Sequence, residues 1–215
     1  MQEQYGEKTT VVIDGVEYPS DSTWIHELEK ELHWRLYWHQ QKLLENLIRP
    51  GDQLLEIGPG TGFTSNYLRS KGMHVTTFDF TPGMKPDIVA NMLTYEFPDQ
   101  YDAVMAFEVF EHVPFDKIRS AMPRIAGACR RYLFFSVPRN VKTPFSIELK
   151  LPKMRARKLQ WSTKRGRPMT TNHFWEIGYN GVTLADVQKM VTDCGLAIER
   201  YFEFYEHSFF ACRVN

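Results

Sequence analysis

The stretch Leu54-Leu55-Glu56-Ile57-Gly58-Pro59-Gly60-Thr61-Gly62-Phe63 constrains the chain more than any other. The run from Gln53 to Ile57 reads as a buried strand, and three glycines at alternate positions separate it from the next helical pattern. Glycines at 58, 60 and 62 permit positive φ and put no Cβ between the backbone and a ligand. The helix that follows offers the unpaired N–H groups of its first turn to a carboxylate or phosphate. Strand, glycine turn and helix in this order predict a nucleotide-like ligand at the turn. Spacing narrows the choice: a dinucleotide turn needs G-x-G-x-x-G, and its third glycine would fall on Phe63.

What stands here is an acidic strand residue followed by G-x-G-x-G (Glu56, Gly58, Gly60, Gly62). It resembles the first motif of the class I S-adenosylmethionine (SAM)-dependent methyltransferases. Further along, the apolar run from His74 to Phe80 closes on Asp79. A carboxylate there can accept hydrogen bonds from both hydroxyls of a ribose, which serves NAD and SAM equally. The plainer alternative is an Asp opening the turn Thr81-Pro82-Gly83. The resemblance implies that Asn91 and Met92 contact the adenine, Met92 packing on the ring and Asn91 offering a polar partner.

The run from Tyr101 to Val109 is near-continuously apolar, as a strand buried on both faces should be. It ends in Phe107-Glu108-Val109-Phe110-Glu111-His112-Val113, which resembles the E-V-L-E-H-V signature of the small-molecule group called type 11 or type 23. Ligands in an open parallel sheet lie beyond the carboxyl ends of the strands, so Glu108, Glu111 and His112 are expected at the mouth. Glu108 would lie near the methionine part of the cofactor. Glu111 and His112 either take part in the chemistry or hold the loop and the helix after it. Asn172-His173-Phe174-Trp175-Glu176 resembles the family's H-x-x-E-F stretch. His173 is there a general base or acceptor contact, or a brace for the rim near Glu111 and His112.

The fold implied is a Rossmann-like doubly wound α/β sheet of seven strands, in the order 3-2-1-4-5-7-6 with strand seven antiparallel. Only Phe80 to Pro86 separates the second core strand from Asp87-Ile88-Val89-Ala90, so the helix expected between them shrinks to a turn. Ahead of the sheet, Thr9–Ile13 and Val16–Tyr18 flank Asp14-Gly15 and predict a small hairpin, a flap or a surface ornament. A helix is expected between the caps Ser20-Asp21-Ser22 and the stop Arg49-Pro50-Gly51, its buried stripe being Ile25, Leu28, Leu32, Leu36, Leu43 and Leu47. Its second face carries His33, Trp34, Tyr37 and Trp38, and the resemblance implies that it lies across the cofactor pocket. His26, His33 and His39 read first as surface or core-edge residues.

Residues 139–167 hold ten basic side chains and one acid, Glu148, in a chain of zero formal net charge. Apolar Leu149, Leu151, Met154, Leu159 and Trp161 are interleaved. This segment could clamp an anionic acceptor, lie on phospholipid headgroups or track an RNA backbone, and the plain alternative is a solvated cap helix. At 215 residues a single domain is expected over 1–215, with 1–49 as hairpin and cap helix and 139–180 as a basic substrate cap. Three scattered cysteines without C-x-x-C argue against a zinc site or disulfide framework and point to a reducing cytoplasm. No apolar run is long enough to span a bilayer, and no side-chain cluster has metal-ligand spacing, so no metal is expected.

The expected activity is SAM-dependent methyl transfer, by in-line displacement, to a small-molecule or lipid-like acceptor, which could be anionic. The alternatives are an RNA or protein methyltransferase using the basic insert, and a catalytically silent SAM-binding subunit. A monomer or homodimer is expected.

Overall fold

The computed structural model describes residues 10–13, 16–19, 30–149 and 157–215. In chain order, β1 (Thr10–Ile13) and β2 (Val16–Pro19) are followed by α1 (Glu31–Leu44), β3 (Gln53–Ile57), α2 (Phe63–Ser70), β4 (His74–Asp79), β5 (Ile88–Val89) and β6 (Tyr101–Phe107). Then come α3 (Phe115–Gly127), β7 (Cys129–Pro138), β8 (Val141–Leu149), β9 (Arg157–Lys164), α4 (Leu184–Thr192), β10 (Leu196–Phe204) and β11 (His207–Val214). Seven strands form one sheet in the order β10-β11-β7-β6-β3-β4-β5. Only β11 runs against its neighbours. Counted from β3 without β8 and β9, this is the order 3-2-1-4-5-7-6.

The period of two along a strand explains why helices cover both faces. In β6, Val104 and Ala106 pack with Leu55, Ile57 and the buried side of α3, including Ile118, Met122 and Ile125. Ala103 and Met105 point the other way, with Leu54, and meet Leu36, Leu43 and Leu44 of α1 and Leu68 of α2. All four of these β6 residues are completely buried. Between β4 and β5 the chain makes one 3-10 turn, Pro82–Met84, in place of a crossover helix, as the short link requires.

One expectation and one alternative need correction. Leu32 is not part of the buried stripe: it is 43% exposed, because the buried arc of α1 passes through Leu36, Gln40, Leu43 and Leu44 instead. Ser20-Asp21-Ser22, Ile25, His26 and Leu28 lie outside the described residues, as does the Asp14-Gly15 turn between β1 and β2. The basic segment is not a cap helix but an antiparallel ribbon of β8 and β9. Its apolar residues alternate with a period of two, which is strand periodicity. Phe145 pairs with Trp161 and Ile147 with Leu159, so the two strands share one apolar face. That face, with Leu149, is open, its side chains 48–69% exposed.

Behind β7, Trp175 fastens the segment after the ribbon to the segment after β6. The side chain is 1% exposed, and its indole N–H donates to the carbonyls of Phe110 (3.1 Å) and Val113 (3.0 Å). Trp175→Phe keeps most of the packing and removes the donor. Stability in urea is expected to fall by about 1–3 kcal/mol, the usual effect of stranding a buried acceptor. An unchanged midpoint would show that ring packing alone makes the joint.

Candidate active site

The glycine turn is built from backbone that other residues resist. Gly58 has φ 67°, and a Cβ there would sit 2.6 Å from a methyl of Val109, so the turn after β3 rests directly on the loop after β6. Gly58 N–H donates to the Phe78 carbonyl at the end of β4 (2.8 Å), and Gly62, at φ 74°, is the N-cap of α2. Gly60 also has positive φ, 53°.

Beneath the turn lies Glu56, 4% exposed. Burial pushes its pKa up to about 8, only partly offset by the Ser65 hydroxyl and amide and the Arg69 charge. Above the turn, α1 crosses the start of α2. Tyr37 Oη lies 3.1 Å from Thr61 Oγ1, its ring centroid is 4.3 Å from that of Phe63, and Thr64 donates to the buried Gln40 (2.9 Å). The leading helix therefore lies at the glycine turn. Its His39 is a core-edge residue, stacked on Phe204 with ring centroids 3.7 Å apart.

At the tip of β4, Asp79 accepts from the Thr81 amide through Oδ1 (2.7 Å), and the Thr81 hydroxyl and Phe80 amide also favour its charge. Burial raises its pKa despite the Thr81 contacts. Asn91 uses its side-chain oxygen on the Leu93 amide (3.0 Å) and keeps its amide nitrogen. Met92 is 9% exposed and belongs to the core with Phe78, Leu93 and Phe97.

The rim after β6 holds the densest polar group of the described molecule. Glu108 adopts φ 55°, a left-handed conformation rare outside glycine that marks a constrained position. Its Oε2 accepts from Nδ1 of the buried His207 at 2.9 Å. Burial opposes charge on both groups. Each outweighs that effect on the other, so the Glu108 pKa lies below and the His207 pKa above its ordinary value. Glu111 is different. It is fully buried, and both carboxylate oxygens meet no hydrogen-bond partner from the surrounding chain. Burial, then the charge of Glu108, push its pKa well above the carboxylate range.

His112 and His173 stand beside it, ring centroids 5.1 Å apart. His112 Nδ1 lies 3.2 Å from the Asn172 carbonyl, which can only accept, so this nitrogen carries the proton. Crowding and the neighbouring His173 push its pKa down, to about 4, although its outer edge meets solvent, and the ring is neutral at ordinary pH. His173 Nδ1 lies 2.8 Å from Oε1 of Glu176. Burial works against the Glu176 charge, but bonds from His173, the Met169 amide and Asn140 outweigh it and lower its pKa. A carboxylate only accepts, so Nδ1 of His173 carries the proton of this bond, and Nε2 is the ring nitrogen it leaves uncommitted. The brace expected between His173 and the Glu111-His112 region is thus a ring contact, and the hydrogen bond goes to Glu176.

Sequence spacing does not reveal His207 or Asn140 as members of this group, whereas Glu176 is the acid of the H-x-x-E stretch. Asn140 donates to Glu176 Oε2 at 2.7 Å and accepts from the Gly166 amide at 2.9 Å, rooting the ribbon at the rim.

Residues 28–194 match the family described as Methyltransferase domain, type 23. No curated protein matches the chain in sequence. Among solved structures, the magnesium protoporphyrin IX methyltransferase of Synechocystis, with bound SAM, is 17% identical, with TM-score 0.58 over 85% of this chain and 79% of that one. N-methyltransferase NodS of Bradyrhizobium japonicum, in complex with S-adenosylhomocysteine (SAH), is 13% identical, with TM-score 0.62 over 91% and 93%. The glycopeptide N-methyltransferase MtfA, complexed with SAH, is 11% identical, with TM-score 0.55 over 82% and 89%. At these identities the likeness is one of fold.

The buried Glu56 carries a testable signature. Its folded pKa of about 8 lies above its ordinary value of 4.5, so its contribution to stability is intact below about pH 4.5 and lost as pH rises toward 8. Glu56→Gln should therefore melt above the wild type at pH 8, by roughly 4 °C or more in the ligand-free protein, and level with it near pH 5. A gap that does not change with pH would place the Glu56 carboxylate in contact with solvent.

Proposed function

The chain belongs to the Methyltransferase domain family, and from that premise we propose that it moves a methyl group from SAM to a small-molecule acceptor. The observation that carries this reading is the rim itself. A glycine turn at the head of α2, the Asp79 carboxylate and the Glu111-His112-His173 group all lie at the carboxyl ends of β3, β4 and β6. Binding there follows from the groups present. The turn Gly58–Gly62 and the start of α2 suit the methionine carboxylate, and Asp79 suits the ribose hydroxyls. Asn91 keeps its amide for the adenine edge, whereas Met92 is left only a narrow exposed surface to give the ring. Glu108, fixed by His207, takes the side nearest the methionine part.

Transfer from a sulfonium is an in-line displacement. The S–CH3 bond breaks with its electron pair going to sulfur, and a lone pair on the acceptor forms the new bond. Alignment of the two supplies much of the rate, with effective molarities of ~10^5 M or more. The Nε2 lone pair of His173, with its tautomer set by Glu176, stands on the acceptor side, able to hold an acceptor N–H or O–H or take its proton.

Two of the structural neighbours are a protoporphyrin and a glycopeptide methyltransferase, which supports a small-molecule class here. The finer reading is an amphiphilic acceptor with an anionic part. Its support is the ribbon, where an open face of Phe145, Ile147, Leu149, Leu159 and Trp161 lies within a segment of nine net positive charges.

Calorimetric titration of SAM, SAH and NAD tests the cofactor. The first two are expected to bind and NAD not to. Asp79→Ala should weaken SAM binding about 10–100-fold, the worth of ~1.5–3 kcal/mol for hydrogen bonds to a charged group. Equal affinity in the variant would remove the ribose role from Asp79, and failure of both SAM and SAH to bind would overturn the reading.

A further inference from the structure

Glu111 poses a physical question that methyl transfer by itself leaves unanswered. A fully buried carboxylate whose oxygens meet no partner from the surrounding chain is costly, and native proteins seldom keep one without a use. Two imidazoles stand next to it. One donor atom from each of Glu111, His112 and His173 lies within 4.8 Å of the other two. Both rings have Nδ1 committed, one to the Asn172 carbonyl and one to the Glu176 carboxylate. Nε2 is the nitrogen left on each, and the partners that fix it are the carbonyl and carboxylate that usually stand behind metal-bound histidines.

We propose that Glu111, His112 and His173 form a site for a divalent first-row transition cation. Two imidazoles and one carboxylate make a donor set suited to zinc and its neighbours and poorly suited to magnesium or calcium, which favour oxygen. Bonds of about 2.1 Å to a tetrahedral ion bring donor atoms to roughly 3.4 Å from one another, so the three side chains must close by about an ångström. Three protein ligands leave a position open. The part played by Glu111 then becomes intelligible, since the cation supplies the positive charge its setting lacks. Glu108 is not part of this set, being held by His207.

This deepens the methyl-transfer reading and rests on it for the acceptor; with Nε2 of His173 on the cation, the cation takes over the acceptor role given above to that lone pair. With the open position on the acceptor side, the cation would take an acceptor oxygen and lower the pKa of a hydroxyl bound there. That hydroxyl gives its proton to solvent, its oxygen lone pair forms the O–CH3 bond, and the electron pair of the broken S–CH3 bond stays on sulfur. The acceptor class is therefore a hydroxyl compound methylated on oxygen. The sequence showed no such site because His173 lies 61 positions beyond His112, outside any ligand spacing a motif would reveal.

The test uses the whole chain, freed of metal by a chelator and titrated with Co2+ alone, read by its visible absorption. One equivalent is expected to bind and to be displaced by Zn2+. Glu111→Gln and His112→Gln should each abolish it, and Glu176→Gln, which keeps the side-chain shape but weakens the support of His173, should weaken it about 10–100-fold. Melting of the metal-free variants separates lost ligands from lost fold, and Glu111→Gln, which removes a stranded acid, is expected to remain folded. Acetohydroxamate, a simple oxygen chelator, should shift the cobalt spectrum, and an unmoved spectrum would overturn the acceptor role. No cobalt binding, or binding indifferent to these substitutions, overturns the site. SAM binding measured on the same samples keeps the two readings apart, because SAM uptake without cobalt sinks only the metal, and cobalt uptake without SAM sinks only the methyl transfer.

Discussion

The acceptor side of this molecule depends on one indole N–H. Trp175 reaches the carbonyls of Phe110 and Val113, more than sixty residues away in the chain, and the amide of Phe174 adds a bond to the Glu111 carbonyl (2.9 Å). These three contacts hold the segment after the ribbon against the turn after β6. They set where His173 stands relative to His112 and Glu111, because His173 has no regular element of its own to position it. The cofactor side is secured differently, by the close approach of Gly58 to Val109 and the hydrogen bond from Gly58 to Phe78. Both supports meet at the loop after β6, which therefore registers the two halves of the site against each other.

That loop places two acids three positions apart in opposite circumstances. Glu108 has His207 as counter-charge, and its folded state favours the ionised form. Glu111 has neither counter-charge nor donor from its surroundings and favours the neutral form. A pair of carboxylates whose environments drive them apart is a common way to give neighbouring groups separate tasks. Here one is biased toward the anion and the other toward the neutral acid.

Much of this was legible in the sequence, and what was not has identifiable causes. The strand, glycine turn and helix at Gln53–Ser70 follow from local pattern, and the strand order follows once that motif and the Phe107–Val113 stretch are placed in a family. The short link before β5 limited the crossover to a turn by length alone. Long-range pairings were beyond reach. Nothing near His207 indicates that it will face Glu108 from an antiparallel strand 99 positions later, and Asn140 gives no sign that it will meet Glu176. Leu32 failed because a helical stripe drawn from periodicity assumes a flat partner, whereas α1 also turns its aromatic face toward Phe63. The ribbon was obscured by its charges. Lysines and arginines between apolar residues read as an amphipathic helix until the period of Phe145, Ile147 and Leu149 is weighed.

Zero net charge hides an unequal distribution. With nine positive charges in excess over residues 139–167, the remainder of the chain carries nine negative ones. From far away the molecule is neutral, but within a few Debye lengths, about 8 Å each in physiological salt, it behaves as a dipole whose positive pole lies on the segment bearing the ribbon. An anion is drawn toward that segment, whose root Asn140 is bonded to Glu176 at the rim of the site. Dissolved salt sets how far from the protein that preference is felt.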